Sequence, residues 1–206
     1  MKKKVSEATI NRLAIYMRHL RELKQSQVDT ISSQGIAQAV NVDAAIVRKD
    51  LGYFGEFGTR GVGYSVAELY AQLQHILGME EKIPVVLLGA GRLGSALALY
   101  PGFENWGLEI AAIFDIDPQV LGSNWGKVTV RHISELEEVF AQQPIEMAIL
   151  AVPSEVSQEL ADQLVGLGVR AILNFSPRIL KIPEHVTLRN FDMSVYLAVL
   201  SYHLQD

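Results

Sequence analysis

VVLLGAGRLGSALALYPGFENWGLEIAAIFD, residues 85–115, opens on an apolar run without a polar partner, Val85 through Leu88, the mark of a strand buried on both faces. The segment Gly89-Ala90-Gly91-Arg92-Leu93-Gly94 leads from that strand straight into an Ala/Leu-rich helix. Each glycine has a task in such a loop: Gly89 lets the chain turn sharply, Gly91 lets a pyrophosphate approach the backbone, and Gly94 lets helix pack close to strand. The free N–H groups of the helix start then face the phosphates. A second strand over residues 109–114 ends in Asp115, 21 residues after Gly94, where an acid meets the ribose hydroxyls of an adenosine. Glycines alone are weak grounds, but strand, glycines, helix and acid in register predict a bound dinucleotide. The Asp115 carboxylate would repel a 2′-phosphate, so the predicted cofactor is NADH or NAD+ and not the phosphorylated form.

The 206 residues, 49% of them hydrophobic, suffice for one large or two small domains with proper cores. No apolar run approaches a bilayer span, and the opening MKKKVSEATI lacks the apolar segment of a secretory signal. The absence of cysteine excludes disulfides, thiolate metal sites and a cysteine nucleophile. The expectation is a soluble, cytoplasmic protein with neither membrane nor metal as a partner. A net charge of −5 argues against a nucleic-acid binder until the chain is divided. Residues 1–80 carry 10 Lys/Arg against 8 Asp/Glu, and residues 81–206 carry 8 against 15. That asymmetry permits a DNA-facing N-terminal part on an acidic body.

Between residues 6 and 24, Ile10, Leu13, Ala14, Met17, Leu20 and Leu23 recur at three- and four-residue steps, predicting an amphipathic helix capped by Ser6. Arg12, Arg18, His19 and Arg21 fall mostly off that stripe and read as a solvated face. Residues 32–40 form a short capped helix, Asn41-Val42-Asp43 a turn, and residues 44–53 a further helix with Ile46, Val47 and Leu51 as its buried positions. Two short helices across a three-residue turn make a helix-turn-helix, whose second member is built to enter a major groove and here exposes Arg48 and Lys49. Ser32 and Ser33 can cap the first of these helices, contact phosphate, or do both. Residues 54–64 alternate glycine with aromatic or β-branched residues, predicting a two-stranded ribbon with a tight turn near 59–61, a wing with Arg60 at its tip. Arg60 would reach a phosphate or the minor groove, while Arg48 and Lys49 face phosphates and base edges. Tyr53, Phe54, Phe57 and Tyr64 read as core packing of a small domain.

A helix over residues 65–77 and a polar linker over 78–84, closing on a proline, set the domain boundary, with His75 at the surface. Beyond the glycine loop, strands are predicted at 128–130, 147–151, 171–174 and 186–189, and helices at 133–141 and 154–166. Six strands with crossover helices give a doubly wound parallel sheet in the order 3-2-1-4-5-6. Val152 and Pro153 follow the fourth strand and Asn174 ends the fifth, where loops line the crevice for a nicotinamide ring. The prolines there serve either that wall or strand termination alone. Residues 192–204, DMSVYLAVLSYHL, leave almost no polar face. Such a helix needs burial on nearly all sides, which predicts a homodimer built on it, with exchange between subunits as one way to form it.

Over the whole chain these residues resemble the Rex family of redox-sensing transcriptional repressors. The likeness is carried by VRKDLGYFGEFGTRGVGY (47–64), LGAGRLGSALALYPGF (88–103), FDIDP (114–118), AVPSE (151–155), ILNFSP (172–177) and the helix after Asp192. It implies an α/β chain: a winged-helix DNA-binding domain over 1–80, a Rossmann NAD(H)-binding domain over 81–190, and a dimerisation helix over 191–206 exchanged within a homodimer. It also implies binding to a palindromic double-stranded DNA operator, release when NADH binds, and no release by NAD+ in the same pocket. By the same resemblance Arg48, Lys49 and Arg60 contact DNA, Arg92 and Asp115 contact the cofactor, and Tyr100 lies near the nicotinamide. Asp192 is then the acid that exchanges partners between Tyr100 and Arg18. Two positions depart from the family pattern: Gly35 inside the first short helix, at a local cost of about 1 kcal/mol, and Met193 where a bulky apolar residue is usual. Two other classes compete. A dehydrogenase needs a substrate domain and an acid or base beside the nicotinamide, whereas the sheet accounts for nearly everything after Lys82 and leaves only His132, His185 and His203. A DNA-binding protein using the sheet purely as a scaffold is opposed by Asp115 and the intact glycines.

Overall fold

The computed structural model describes residues 5–59 and 61–204. The chain divides into two compact units, one running up to Glu81 and the other starting at Lys82, which puts the boundary inside the predicted linker.

In the first unit, α1 (Glu7–Gln25) starts where the Ser6 hydroxyl accepts the Thr9 N–H at 3.2 Å. Its stripe of Leu13, Tyr16, Met17 and Leu20 is buried and packs on α2 (Ser33–Val40) and α4 (Val66–Leu77). Asn41 ends α2 in the left-handed region, which asparagine tolerates, and Asp43 caps α3 (Ala44–Gly52) by accepting the Ala45 N–H at 2.6 Å. The predicted helix-turn-helix is therefore present, with Val47, Asp50 and Leu51 on the buried stripe of α3. Ile46 is exposed, against expectation, because it stands about 100° round the helix from Val47. Tyr53 is exposed as well, and of the four aromatics assigned to the core only Tyr64 is buried.

Among the described residues the predicted ribbon shows one bridge, Thr59 with Gly63, closed by Thr59 N–H to Gly63 O at 2.9 Å and Gly63 N–H to Thr59 O at 3.0 Å. Tyr64 pairs elsewhere, β2 (Tyr64–Ser65) running antiparallel to β1 (Thr30–Ile31). A side chain at Gly63 would meet the Ile31 carbonyl oxygen at 2.6 Å, so this glycine lets the wing approach β1. Arg60, the predicted tip, lies outside the described residues. Gly35 is also explained by packing. Its N–H is held by the Ser32 cap at 3.0 Å and a Cβ would lie 2.9 Å from Ile31 Cγ1, so a better helix former would crowd β1.

The second unit is built on a seven-stranded sheet of order β5-β6-β4-β3-β7-β8-β9. The strands are β3 (Ile83–Leu88), β4 (Leu108–Asp115), β5 (Asn124–Trp125), β6 (Val128–His132), β7 (Met147–Leu150), β8 (Ala171–Asn174) and β9 (Thr187–Asn190). Six are parallel in the predicted order 3-2-1-4-5-6, and β5 adds an antiparallel edge that the sequence reading did not foresee. Val85 through Leu88 are fully buried, as a central parallel strand requires. One face carries α6 (Leu136–Gln142) and α7 (Ser154–Gly166) over Val86, Leu88, Phe114 and Leu150. The other packs Leu97 and Ala98 of α5 (Arg92–Ala98), with Phe103 and Trp125, over Val85, Leu87 and Ile149.

The crossovers differ from expectation in three places. The helix predicted at 133–141 is a 3-10 turn (Ile133–Glu135), started by a capping box between His132 and Glu135, followed by α6. No helix joins β4 to β6 or β8 to β9, and these connections run as turns and loops. In the first of them the chain is spent on a turn that Asp117 holds by accepting the Gln119 N–H, and on the short β5. Outside the crossovers, α8 (Met193–Tyr202) is not buried among the described residues of its own unit. Its apolar residues Val195, Tyr196, Leu197, Val199, Leu200 and Tyr202 are all more than half exposed.

Candidate cofactor cleft and nucleic-acid interface

The carboxyl ends of β3, β4 and β7 open onto a cleft of about 650 Å³. Of the residues predicted to bind cofactor, Gly89, Ala90, Gly91, Asp115, Val152 and Pro153 line it together. Gly89 has φ +97°, and a Cβ there would strike the Ala151 carbonyl oxygen. A Cβ on Gly94 would strike the carbonyl of Gly89, so α5 can leave the strand at this distance only with glycine at both positions. Gly91, by contrast, has nothing within 4 Å of where a Cβ would be and caps α5 without a side chain. That open backbone is what an approaching pyrophosphate needs. Arg92 and Leu93 form the first turn of α5, Arg92 exposed.

Asp115 folds one carboxylate oxygen onto the Ala90 N–H, while the other accepts the N–H groups of Ile116 at 2.6 Å and Asp117 at 2.9 Å. The acid is thus anchored to the glycine loop at the end of β4. The charged residues lining the cleft are Asp115, Asp117 and Glu159, all acidic, with Leu88, Phe114, Ile133, Val156 and Leu160 supplying apolar wall. Such a lining fits an adenosine with free ribose hydroxyls and repels one with an added phosphate. By glycine backbone, acid and apolar wall, the residues present fit a dinucleotide.

Three predicted residues lie elsewhere. Asn174 is fully buried and its amide is committed to the protein: Oδ1 accepts the Ser176 N–H at 2.9 Å, and Nδ2 donates to Ser176 O, Arg178 O and Asn190 Oδ1 at 2.9 to 3.1 Å. It braces the loop after β8 and offers no N–H to a ligand. Tyr100 is 56% exposed, stacks edge-on against Phe103, and lines a separate cleft of about 630 Å³ with Leu99 and Trp125. Asp192 caps α8, its Oδ1 accepting from Ser194 N–H at 2.8 Å and Ser194 Oγ at 2.5 Å, bonds that hold its carboxyl below the usual range. The third member of the predicted switch, Arg18, is exposed on α1.

In the first unit Arg48 and Lys49 are exposed on α3, and Arg48 Nη1 donates to the Ser33 hydroxyl at 3.0 Å. The structure therefore joins two of the predicted DNA-contacting residues in one polar pair. What the sequence reading missed lies on the other side of α3. Asp50 is 1% exposed and accepts from Arg12 Nε at 2.6 Å and Nη2 at 2.7 Å, Tyr16 OH at 2.9 Å and Thr9 Oγ1 at 3.1 Å. Arg12 is accordingly no solvated base. Burial pushes the Asp50 carboxyl up, but the hydrogen bonds and charge of Arg12, with those of Tyr16 and Thr9, outweigh it and bring it below 3.8. The same bonds raise Arg12, and burial together with Asp50 raises Tyr16. The signal was in the spacing, since Asp50 stands at i+3 from Val47 and next to Leu51 on an apolar stripe.

A helix-turn-helix unit ahead of a dinucleotide-binding sheet defines the class, a two-unit α/β chain that joins a DNA-reading fold to a nucleotide-binding one. Residues 4–52 match the model of a family described as putative DNA-binding protein N-terminus, and residues 80–178 that of a CoA binding domain. The redox-sensing transcriptional repressor Rex of Syntrophomonas wolfei is 49% identical over 98% of this chain and 96% of its own, and that of Desulfitobacterium hafniense 48% identical over the same shares. The chain belongs to the Rex family of redox-sensing transcriptional repressors. These relatives are transcriptional repressors, which weighs against the dehydrogenase reading. Among solved structures, RSP in complex with β-NAD+ and operator DNA superposes with a TM-score of 0.91 at 41% identity, covering 98% of this chain and 94% of that one. RSP in complex with β-NADH gives 0.88 at 39%, covering 98% and 95%.

Proposed function

We propose that the protein is a cytoplasmic repressor that holds a palindromic DNA operator as a homodimer and lets go when NADH occupies the cleft, so that it reports the NADH to NAD+ ratio. The observation that carries this reading is one chain with both a glycine-and-acid cleft and a helix-turn-helix whose Arg48 is held by Ser33. RSP, similar over 98% of this chain, has been crystallised with operator DNA and NAD+ and with NADH. On this reading residues 1–80 bind DNA, with Ser33, Arg48, Lys49 and Arg60 at phosphates and base edges. Residues 81–190 hold the dinucleotide, with Asp115 on the adenosine ribose, Arg92 at the start of α5, and Val152 and Pro153 walling the ring end. Residues 191–206 join two subunits by exchange of α8, a role supported by its unburied apolar surface.

The bound dinucleotide supplies a nicotinamide ring that is cationic when oxidised and neutral when reduced. Val152, Pro153 and apolar neighbours form a water-poor wall that resists a cation and admits a neutral ring. Asp192, which lies outside the cleft of its own chain, would on this reading act on an oxidised ring from an exchanged α8, with Tyr100 and Arg18 as its alternating partners. A ligand shifts the equilibrium only by its different affinity for the two states, so the two redox forms must bind the DNA-competent state unequally. Fluorescence anisotropy of an operator duplex tests the coupling. Saturating NADH is expected to lower operator affinity at least tenfold relative to saturating NAD+, about 1.4 kcal/mol, and equal affinity in the two would end the proposal.

A further inference from the structure

Asp50 is a costly residue to bury. Taking a carboxylate and a guanidinium out of water offsets most of their attraction, so such a pair adds little to stability over apolar side chains of similar volume. What it does add is direction.

α3 is only nine residues long. Its apolar anchors Val47 and Leu51 are buried one turn apart on nearly the same side of the helix, and apolar contact has no preferred direction. Such anchors set how close α3 lies and leave its roll about its own axis loosely determined. Backbone packing in this unit joins α1 to α2 and α4, and α2 to α3. Asp50 supplies a link from α3 back to α1. Arg12 grips both carboxylate oxygens side by side, Nε on Oδ2 at 2.6 Å and Nη2 on Oδ1 at 2.7 Å, a fork that fixes the plane of the carboxylate. Tyr16 and Thr9 add their hydroxyls from three- and four-residue steps along the same face of α1. Thr9 Oγ1 is itself held, pairing with Ser6 Oγ at 3.0 Å and accepting from Arg12 Nη2 at 3.2 Å.

Fixing the azimuth of Asp50 fixes that of its neighbours. Lys49 stands about 100° and Arg48 about 200° round the helix from it. A clamp at Asp50 therefore turns Arg48 to the opposite, exposed side, where its guanidinium meets the Ser33 hydroxyl at 3.0 Å.

We infer that the Arg12–Asp50 pair, with Tyr16 and Thr9, is a positioning device that sets the roll of α3 so that Arg48 and Lys49 meet base edges and phosphates in register. This rests on the DNA-binding reading above, and Asp50 acts through its neighbours, not by touching DNA.

The probe is the palindromic duplex that the wild-type chain selects from a random library, set against a scrambled duplex of the same length. Fluorescence anisotropy compares the wild type with Asp50→Asn, Arg12→Met and Tyr16→Phe at a temperature where circular dichroism shows each fully folded. Asp50→Asn and Arg12→Met are expected to lose about tenfold or more in affinity for the selected duplex. Tyr16→Phe, which removes one hydrogen bond and keeps the ring, should lose about threefold. Affinity for the scrambled duplex should stay within about twofold, with the salt dependence of the wild type, because no phosphate contact is removed. A purely structural role predicts full selectivity in every folded variant. Wild-type selectivity in the folded variants, or an equal loss on both duplexes, overturns the positioning role and leaves the DNA-binding reading in place. A wild type that selects no duplex overturns both. Should Asp50→Asn and Arg12→Met fail to fold, Tyr16→Phe decides by the same comparison.

Discussion

Asp50 carries an ionised carboxylate at a site with almost no exposed surface, and it does so because three residues of α1 turn their donors to it. A buried ion pair adds little over a well-packed apolar pair, yet breaking one is costly because the other charge is stranded. Asp50→Ala is expected to destabilise the first unit by about 3 kcal/mol, at the low end because Arg12 is partly exposed and can recover water. Urea denaturation followed by circular dichroism measures this. The pH dependence has a definite sign. The folded carboxyl titrates below its ordinary value of 3.8, so its contribution is complete above the unfolded value and is lost as pH falls through the folded one. Acid unfolding of the wild type should accordingly steepen below about pH 4, and Asp50→Asn should remove that part of the slope.

Among the elements, α8 has most of its apolar surface left uncovered by the described residues of its own unit. Phe191 touches Phe175 and Tyr196 through ring contacts at 5.2 and 5.4 Å, and the turns beyond it leave Leu197, Leu200 and Tyr202 exposed. An apolar helix left in water is a strong drive to associate, at roughly 25 cal/mol per Å² of apolar area removed from water. Deleting residues 193–206 should convert a dimer to monomer in multi-angle light scattering while NADH-independent folding of the sheet persists by circular dichroism. An unchanged dimer would refute the role given to this helix.

The whole molecule combines two units of different electrostatic character, and the proposed function assigns them separable tasks. Arg48→Ala removes an exposed charge from α3, the one the proposed function aims at phosphate, and lies in a different unit from the cleft. Operator affinity should fall, and the slope of log affinity against log salt should diminish by about 1 per subunit. NADH affinity measured by calorimetry should not change. A mutant that loses NADH affinity together with operator affinity would show that Arg48 supports folding and is not a DNA contact.

The order of the parallel sheet, the glycine loop, the acid at the end of β4 and the helix-turn-helix were all legible in the chain. Each is set by local rules: apolar runs for buried strands, glycine where backbone must approach backbone, and caps at Ser6, Ser32 and Asp43. What escaped depends on partners distant in sequence. Arg12 and Asp50 are 38 residues apart, and nothing near Arg12 says that its charge is consumed. Asn174 reads as a polar residue on a crevice, and only the return of the chain through Ser176, Arg178 and Asn190 saturates its amide. Local chemistry thus fixed which elements form and in what order they join, while tertiary packing alone decided which polar groups are spent on the protein and which remain for something else, because a hydrogen bond or an ion pair depends on proximity in space.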